Sequence, residues 1–149
     1  MEFLLPLPDA RLPGLGRPGQ ARARERPRIE RGFLTGAIDL VFRHEGRHYI
    51  ADWKGDLLLD ASPAAVAAHV EEHYLLQARL YSLVLARVLG ISDAADHERR
   101  FGGVAYVFLR HREGDPADGI WFARPGFEDL GRYEHELDAE APRREEERA

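Results

Sequence analysis

Two β-rich runs meeting at one glycine constrain this chain more than any other feature. Phe33 to Arg43 and Arg47 to Lys54 flank Glu45-Gly46. Such runs around a two-residue turn containing Gly predict a β-hairpin. With Glu45-Gly46 as the loop, His44 pairs with Arg47, Phe42 with Tyr49, Val41 with Ile50 and Asp39 with Asp52. Directly opposed residues share a face, with Cβ atoms roughly 4.5–5.5 Å apart. Lys54 stands two residues beyond Asp52 and projects from that same face. The hairpin therefore collects two carboxylates and an amine, and a register slip of one residue would scatter them.

Two opposed carboxylates repel unless one takes a proton or a cation lies between them. Hard oxygen ligands beside a cation-sized gap suit Mg²⁺ or Mn²⁺, which keep waters and complete their shell with substrate phosphate. The amine is unusual too: Lys54 is the single lysine in a chain with 20 arginines. Arg presents a wide planar fork, whereas Lys is a compact point charge whose pKa moves readily. A site that holds an ammonium beside a reacting water or phosphate can need the second and reject the first. Together these residue types point to metal-assisted phosphodiester hydrolysis. The alternative is a strand pair with its charges on a solvated face. The apolar bulk of Ile38, Leu40, Ile50, Ala51 and Trp53 around the carboxylates argues against it.

Gly36-Ala37-Ile38-Asp39 followed by Asp52-Trp53-Lys54 resembles the Asp…(Asp/Glu)-x-Lys pattern of the PD-(D/E)XK nucleases. Further blocks narrow the likeness: the run from Gly36 to Arg47, Leu76-Gln77 with Leu80-Tyr81, Phe101 to Arg110, and the opening Met1-Glu2-Phe3-Leu4-Leu5-Pro6. In this order they are similar to the C-terminal nuclease domains of the RecB type, found in the beta subunit of exodeoxyribonuclease V. The resemblance runs from Met1 to about Arg124. It implies a restriction-endonuclease-like α/β fold, a mixed sheet flanked by helices. It also implies Mg²⁺, with Mn²⁺ able to replace it, held by Asp39, Asp52 and the main-chain carbonyl of Trp53. Lys54 would be catalytic, and Gln77 and Tyr81 would belong to the catalytic set. The implied partners are DNA, as linear duplex ends and single strands, the helicase part of a parent chain, and the other subunits of a RecBCD-type complex. The same resemblance implies an upstream helix carrying a further His ligand. His44, His48, His69 and His73 do not match that position. The expectation is therefore a fragment with an incomplete metal shell, weak or inactive alone.

The rest of the chain sets bounds. Its 149 residues suit one domain with room for a core. The nuclease domain is expected over residues 1–137, with a basic Pro/Gly/Arg loop within 8–31 and a charged, disordered tail over 138–149. Between Arg11 and Arg31 stand seven Arg against Glu25 and Glu30, in a chain whose formal charge is −5. That loop either touches DNA phosphates or is a solvated linker. No Cys is present, which excludes disulfides and thiolate metal sites and fits a reducing cytoplasm. No apolar run approaches the ~18 residues of a membrane span, and no signal peptide is evident, so a cytoplasmic protein without membrane partners is expected.

Ser62-Pro63 predicts a helix start and Gly90 its stop, with Val66, Val70, Leu76, Leu80, Leu83, Val84 and Val88 on the buried side. His69, His73, Gln77 and Tyr81 recur every four residues along it. The two His at that spacing could begin a zinc site, but no third ligand is evident. Phe101 to Arg110 reads as a buried strand and Gly119 to Arg124 as its partner, joined by a turn at Gly114-Asp115-Pro116. Phe127 to Leu137 reads as a closing helix.

The expected function is a Mg²⁺-dependent DNA exonuclease domain of a RecBCD-type helicase–nuclease, acting in double-strand-break repair and recombination. One alternative is a non-catalytic remnant that binds DNA or partners, and another is a stand-alone nuclease of the same superfamily. Zero Cys argues against the subgroup that carries an iron–sulfur cluster. A motor within this chain is excluded, because no Gly-x-x-x-x-Gly-Lys-[Ser/Thr] phosphate loop occurs.

Overall fold

In the computed structural model, which describes residues 1–6, 28–30, 33–111 and 118–139, the hairpin forms in the register read from the sequence. β4 (Leu40–His44) and β5 (Arg47–Leu58) pair antiparallel, His44 opposite Arg47 and Val41 opposite Ile50. Glu45 and Gly46 have φ of 47° and 84°. Both central residues are thus left-handed, the condition that matches a two-residue turn to the twist of its strands. Numbered in chain order, β1 (Glu2–Pro6), β2 (Arg28–Glu30) and β3 (Phe33–Ala37) precede the hairpin and form a three-stranded antiparallel sheet in the order β1-β3-β2.

The second sheet carries the core. β6 (Phe101–His111) pairs parallel to β5, and β7 (Ile120–Ala123) pairs antiparallel to β6, giving the order β4-β5-β6-β7. A parallel pair needs a long crossover. Here it is made by α1 (Pro63–His73), α2 (Leu75–Leu89) and α3 (Ala94–Arg100). α4 (Phe127–Ala139) follows the sheet and packs on α2. Ile50, Val66, Val70, Leu80, Leu85, Val104, Tyr106 and Phe108 are all but fully enclosed between the second sheet and the helices. Gly102 and Gly103 let β6 enter between its neighbours. A Cβ on Gly103 would lie 2.5 Å from the Ala123 carbonyl oxygen, and its φ of 134° suits only glycine.

Four expectations need correction. The strand expected from Phe33 to Arg43 is two strands in two different sheets, broken at Ile38-Asp39. The helix expected from Ser62 to Gly90 is two helices meeting at Tyr74, whose φ of −130° interrupts the helical run. No Pro or Gly stands there. The Val70 carbonyl still accepts from the Tyr74 N–H, and the Tyr74 carbonyl from the Ala78 N–H, so the chain turns without losing these bonds. Its start is as expected, with Ser62 at the N-cap and Pro63 in the first turn, though Ser62 makes no side-chain cap bond and the Asp60 carboxylate accepts from the Ser62 N–H at 2.8 Å. Gly90 does end α2, in the left-handed conformation. α3 was not anticipated. Its signal is Asp93, whose side chain accepts from the Asp96 N–H at 2.7 Å. Finally, β6 is buried throughout from Phe101 to Val104, but beyond it one face opens, and Leu109 is 60% exposed. The basic loop apart from residues 28–30, the turn at 114–116 and the tail beyond residue 139 lie outside the described residues.

Candidate active site

The break between β3 and β4 is where the first carboxylate sits. The β4–β5 ladder ends at Leu40 opposite Ala51, so Asp39 lies in a bend one step beyond it rather than in a paired strand. Its Oδ2 accepts from the Trp53 N–H at 2.9 Å. Asp39 thus docks on the backbone one residue past Asp52. The expected side-by-side placement is kept, though by a side-chain bond and not by strand pairing.

β5 supplies the next groups. Alternation sends Ile50, Asp52, Lys54 and Leu58 toward the helices, and all four are buried. Lys54 is 1% exposed and Asp52 5%. The Lys54 Nζ lies 2.7 Å from Asp52 Oδ2 and donates to Gln77 Oε1 at 2.6 Å. It also lies 4.2 Å from the centroid of the Tyr74 ring and 4.6 Å from that of Tyr106. Aromatic faces are worth ~2 kcal/mol to a desolvated cation. Burying an ammonium is costly unless it is paired and hydrogen-bonded, and here it is both.

α2 completes the set. Gln77 and Tyr81 are one helical turn apart and both are buried. Gln77 turns its oxygen to the ammonium and donates from Nε2 to the Tyr81 hydroxyl at 3.1 Å. Tyr81 in turn donates to the Ala37 carbonyl at 2.9 Å and lies 3.4 Å from Asp52 Oδ1. A continuous chain of bonds therefore links Lys54, on β5, to the residue pair preceding Asp39. Every residue singled out from the sequence (Asp39, Asp52, Trp53, Lys54, Gln77, Tyr81) belongs to one connected cluster.

Burial pushes the Asp52 carboxyl above the usual carboxylate range. The nearby charge of Asp39 adds to that rise, while Lys54 and Tyr81 oppose it. The coupling to Asp39 means that the two carboxylates feel each other, the condition under which a divalent cation is attracted. Two carboxylates and a backbone carbonyl are hard donors of the kind Mg²⁺ and Mn²⁺ take, so the donor set fits such an ion. Among the described residues no group of three His, Cys, Asp or Glu is placed to hold a metal. The Trp53 carbonyl is the main-chain group expected to join the two carboxylates.

Sequence reasoning missed two residues on the edge of this cluster, Asp56 and Tyr74. Asp56, two positions past Lys54, accepts from the Tyr74 hydroxyl at 2.6 Å, and its Oδ2 lies 2.8 Å from His69 Nε2. The spacing of Asp52, Lys54 and Asp56 along one strand face could have flagged it. Tyr74 carried no such signal, because its position depends on the helix break. His69 and His73 do lie close, with ring centroids 4.6 Å apart.

Comparisons with known proteins identify the family. Residues 12–149 match the PD-(D/E)XK nuclease superfamily. The chain is 43% identical to the RecBCD enzyme subunit RecB of Escherichia coli (strain K12), over 84% of this chain and 12% of that protein. It is 40% identical to its counterpart in Haemophilus influenzae, over 65% of this chain and 8% of that one. For the counterpart in Mycolicibacterium smegmatis the identity is 34%, over 75% of this chain and 12% of that one. The chain thus spans about an eighth or less of the length of these curated relatives.

Proposed function

Since the chain belongs to the PD-(D/E)XK nuclease superfamily and is a RecB-type nuclease domain, we propose that it is a Mg²⁺-dependent exodeoxyribonuclease. In this reading it works beside the helicase part of a longer protein in a RecBCD-type complex, on linear duplex ends and single strands. One observation carries the proposal. A buried Asp52–Lys54 pair lies beside the Asp39 carboxylate, which is docked on the Trp53 amide. A purely structural strand pair has no need of a desolvated ammonium paired with Asp52.

Asp39, Asp52 and the Trp53 carbonyl would hold the ion, which when bound supplies Lewis acidity at phosphate and a more acidic water. Lys54 offers a compact, fixed positive charge where the phosphodiester gains negative charge. Fixed charge in a desolvated site needs no reorganisation as the reaction proceeds. Gln77 aims that ammonium, and Tyr81 aims Gln77 while tethering the strand end before Asp39.

The test is cleavage of linear duplex, linear single-stranded and covalently closed circular DNA, with Mg²⁺, Mn²⁺ or EDTA, by the longer helicase–nuclease in which this chain is the nuclease domain. Calorimetric titration with Mn²⁺ accompanies it. Metal-dependent loss of the linear substrates, abolished in Lys54→Ala, with Mn²⁺ binding lost in Asp52→Ala, is the expected result. Cleavage that persists in EDTA, or equal Mn²⁺ binding by Asp52→Ala and the wild type, would overturn the assignment. Cutting of the closed circle at the same rate would remove the exonuclease claim alone.

A further inference from the structure

The cluster of Asp56, His69 and Tyr74 touches the proposed active site through Lys54, and none of its members belongs to the metal-holding set proposed above. Asp56 lies where the β5–β6 ladder loses its regular register, between Lys54 and Leu57. Such irregularities re-aim side chains beside active sites. From there its Oδ2 accepts from the Tyr74 hydroxyl at 2.6 Å and meets His69 Nε2 at 2.8 Å. A carboxylate only accepts, so that nitrogen carries the hydrogen. Three elements converge on one oxygen: β5, α1 through His69, and the α1–α2 junction through Tyr74.

The same Tyr74 presents its ring 4.2 Å from Lys54 Nζ. Its hydroxyl is thus fixed by Asp56 while its ring face lies against the ammonium, and the backbone bend at Tyr74 makes both contacts possible at once. We infer that Asp56, Tyr74 and His69 are positioning residues for Lys54. Asp56 and His69 hold the Tyr74 ring, and the ring with Gln77 sets where the ammonium points. The nuclease reading of the site is the premise of this assignment, but the geometry of Lys54 can be read without it.

The chain's single lysine makes that direct. Labelling with ¹³C,¹⁵N-lysine gives one side-chain spin system, that of Lys54. In the wild type its two Cε hydrogens are expected to be distinct from each other and shifted by the Tyr74 and Tyr106 rings. Tyr74→Phe keeps the ring but loses the bond to Asp56, and Asp56→Ala loses it from the other side. Both should move the two signals together and toward free lysine. Asp56→Asn can still accept from Tyr74, so it should stay near wild type. In the DNA cleavage assay, Tyr74→Phe and Asp56→Ala should each lower kcat about tenfold, as small displacements of a reacting group do. KM and the Kd for Mn²⁺ should hold, and the double variant should be no worse than either single one. His69→Gln should show the same pattern, weaker.

An unchanged lysine signal in folded Tyr74→Phe and Asp56→Ala would overturn the inference, and so would multiplying losses in the double variant. If Asp56→Ala fails to fold, Tyr74→Phe decides alone. If wild type and Lys54→Ala both fail to cut DNA while the lysine signal responds as expected, the nuclease reading falls and the positioning of Lys54 stands.

Discussion

At the scale of single residues, Lys54 is the group with least freedom to change. Its ammonium is enclosed by Asp52, Gln77 and two tyrosine rings. Arg has the same charge but a wide fork, so Lys54→Arg must push the rings apart. Overpacking of a filled site costs about 1–3 kcal/mol, and the displaced charge should lower cleavage by on the order of 10²-fold. Thermal unfolding and cleavage rate of Lys54→Arg together check this: a variant with normal stability and normal rate would show the enclosure to be loose. Truncation of either partner of the buried pair has a different cost. Asp52→Ala leaves a desolvated ammonium without its carboxylate, a loss of about 3–5 kcal/mol. Its loss of metal binding should therefore be measured at a temperature where circular dichroism shows the variant folded.

Among the elements, β6 and α3 carry the clearest predictions. Gly103→Ala places a Cβ 2.5 Å from the Ala123 carbonyl oxygen at a φ of 134°. Conformational strain alone costs about 1–3 kcal/mol, and the clash adds to it. The midpoint of urea unfolding should fall accordingly, with little change from Gly46→Asn, since nothing lies within 4 Å there and Asn accepts that conformation. α3 holds a pH-dependent contribution. His97 is buried, its ring stacks on Phe101, and Nε2 donates to the Pro125 carbonyl at 3.0 Å. Burial lowers its pKa below 6.5, and the nearby Arg124 contributes in the same direction. Below pH 6.5 the unfolded chain takes the proton first, so the unfolded state gains. The stability is fully present above pH 6.5 and falls as pH drops through the lowered folded value. Melting temperatures between pH 7.5 and 5.5 should decline in the wild type and be flatter in His97→Phe. Parallel curves would assign the decline to other groups.

At the scale of the whole molecule, the second sheet buries one face under the helices and shows apolar side chains on the other. Leu40, Phe42, Trp53, Leu57, Leu109, Ile120 and Phe122 are all exposed. Contiguous apolar surface of this kind marks interaction sites or aggregation liabilities. The isolated chain should therefore bind an apolar dye such as bis-ANS while folded and self-associate with rising concentration in sedimentation. Phe42→Ser with Phe122→Ser should reduce both without changing the Mn²⁺ titration. No dye binding by the folded wild type would contradict it.

What the sequence determined alone was local and periodic. Glu45-Gly46 set the hairpin register, because a two-residue turn leaves no other pairing. That register, with the period of two along β5, placed Asp52 and Lys54 on one face. The period of 3.6 set Gln77 and Tyr81 one turn apart on α2. Tertiary structure decided the rest. The run from Phe33 to Arg43 reads as one strand by composition, yet it splits at Ile38-Asp39, where the chain passes from one sheet to the other. Nothing in Tyr74 itself breaks a helix. It bends where its hydroxyl meets Asp56 and its ring meets Lys54, contacts between residues 18 and 20 positions apart in the chain. Turn chemistry and periodicity act within a few residues and are legible in order. A bend, a sheet crossing and the enclosure of one ammonium depend on which distant groups arrive beside them, and only packing specifies that.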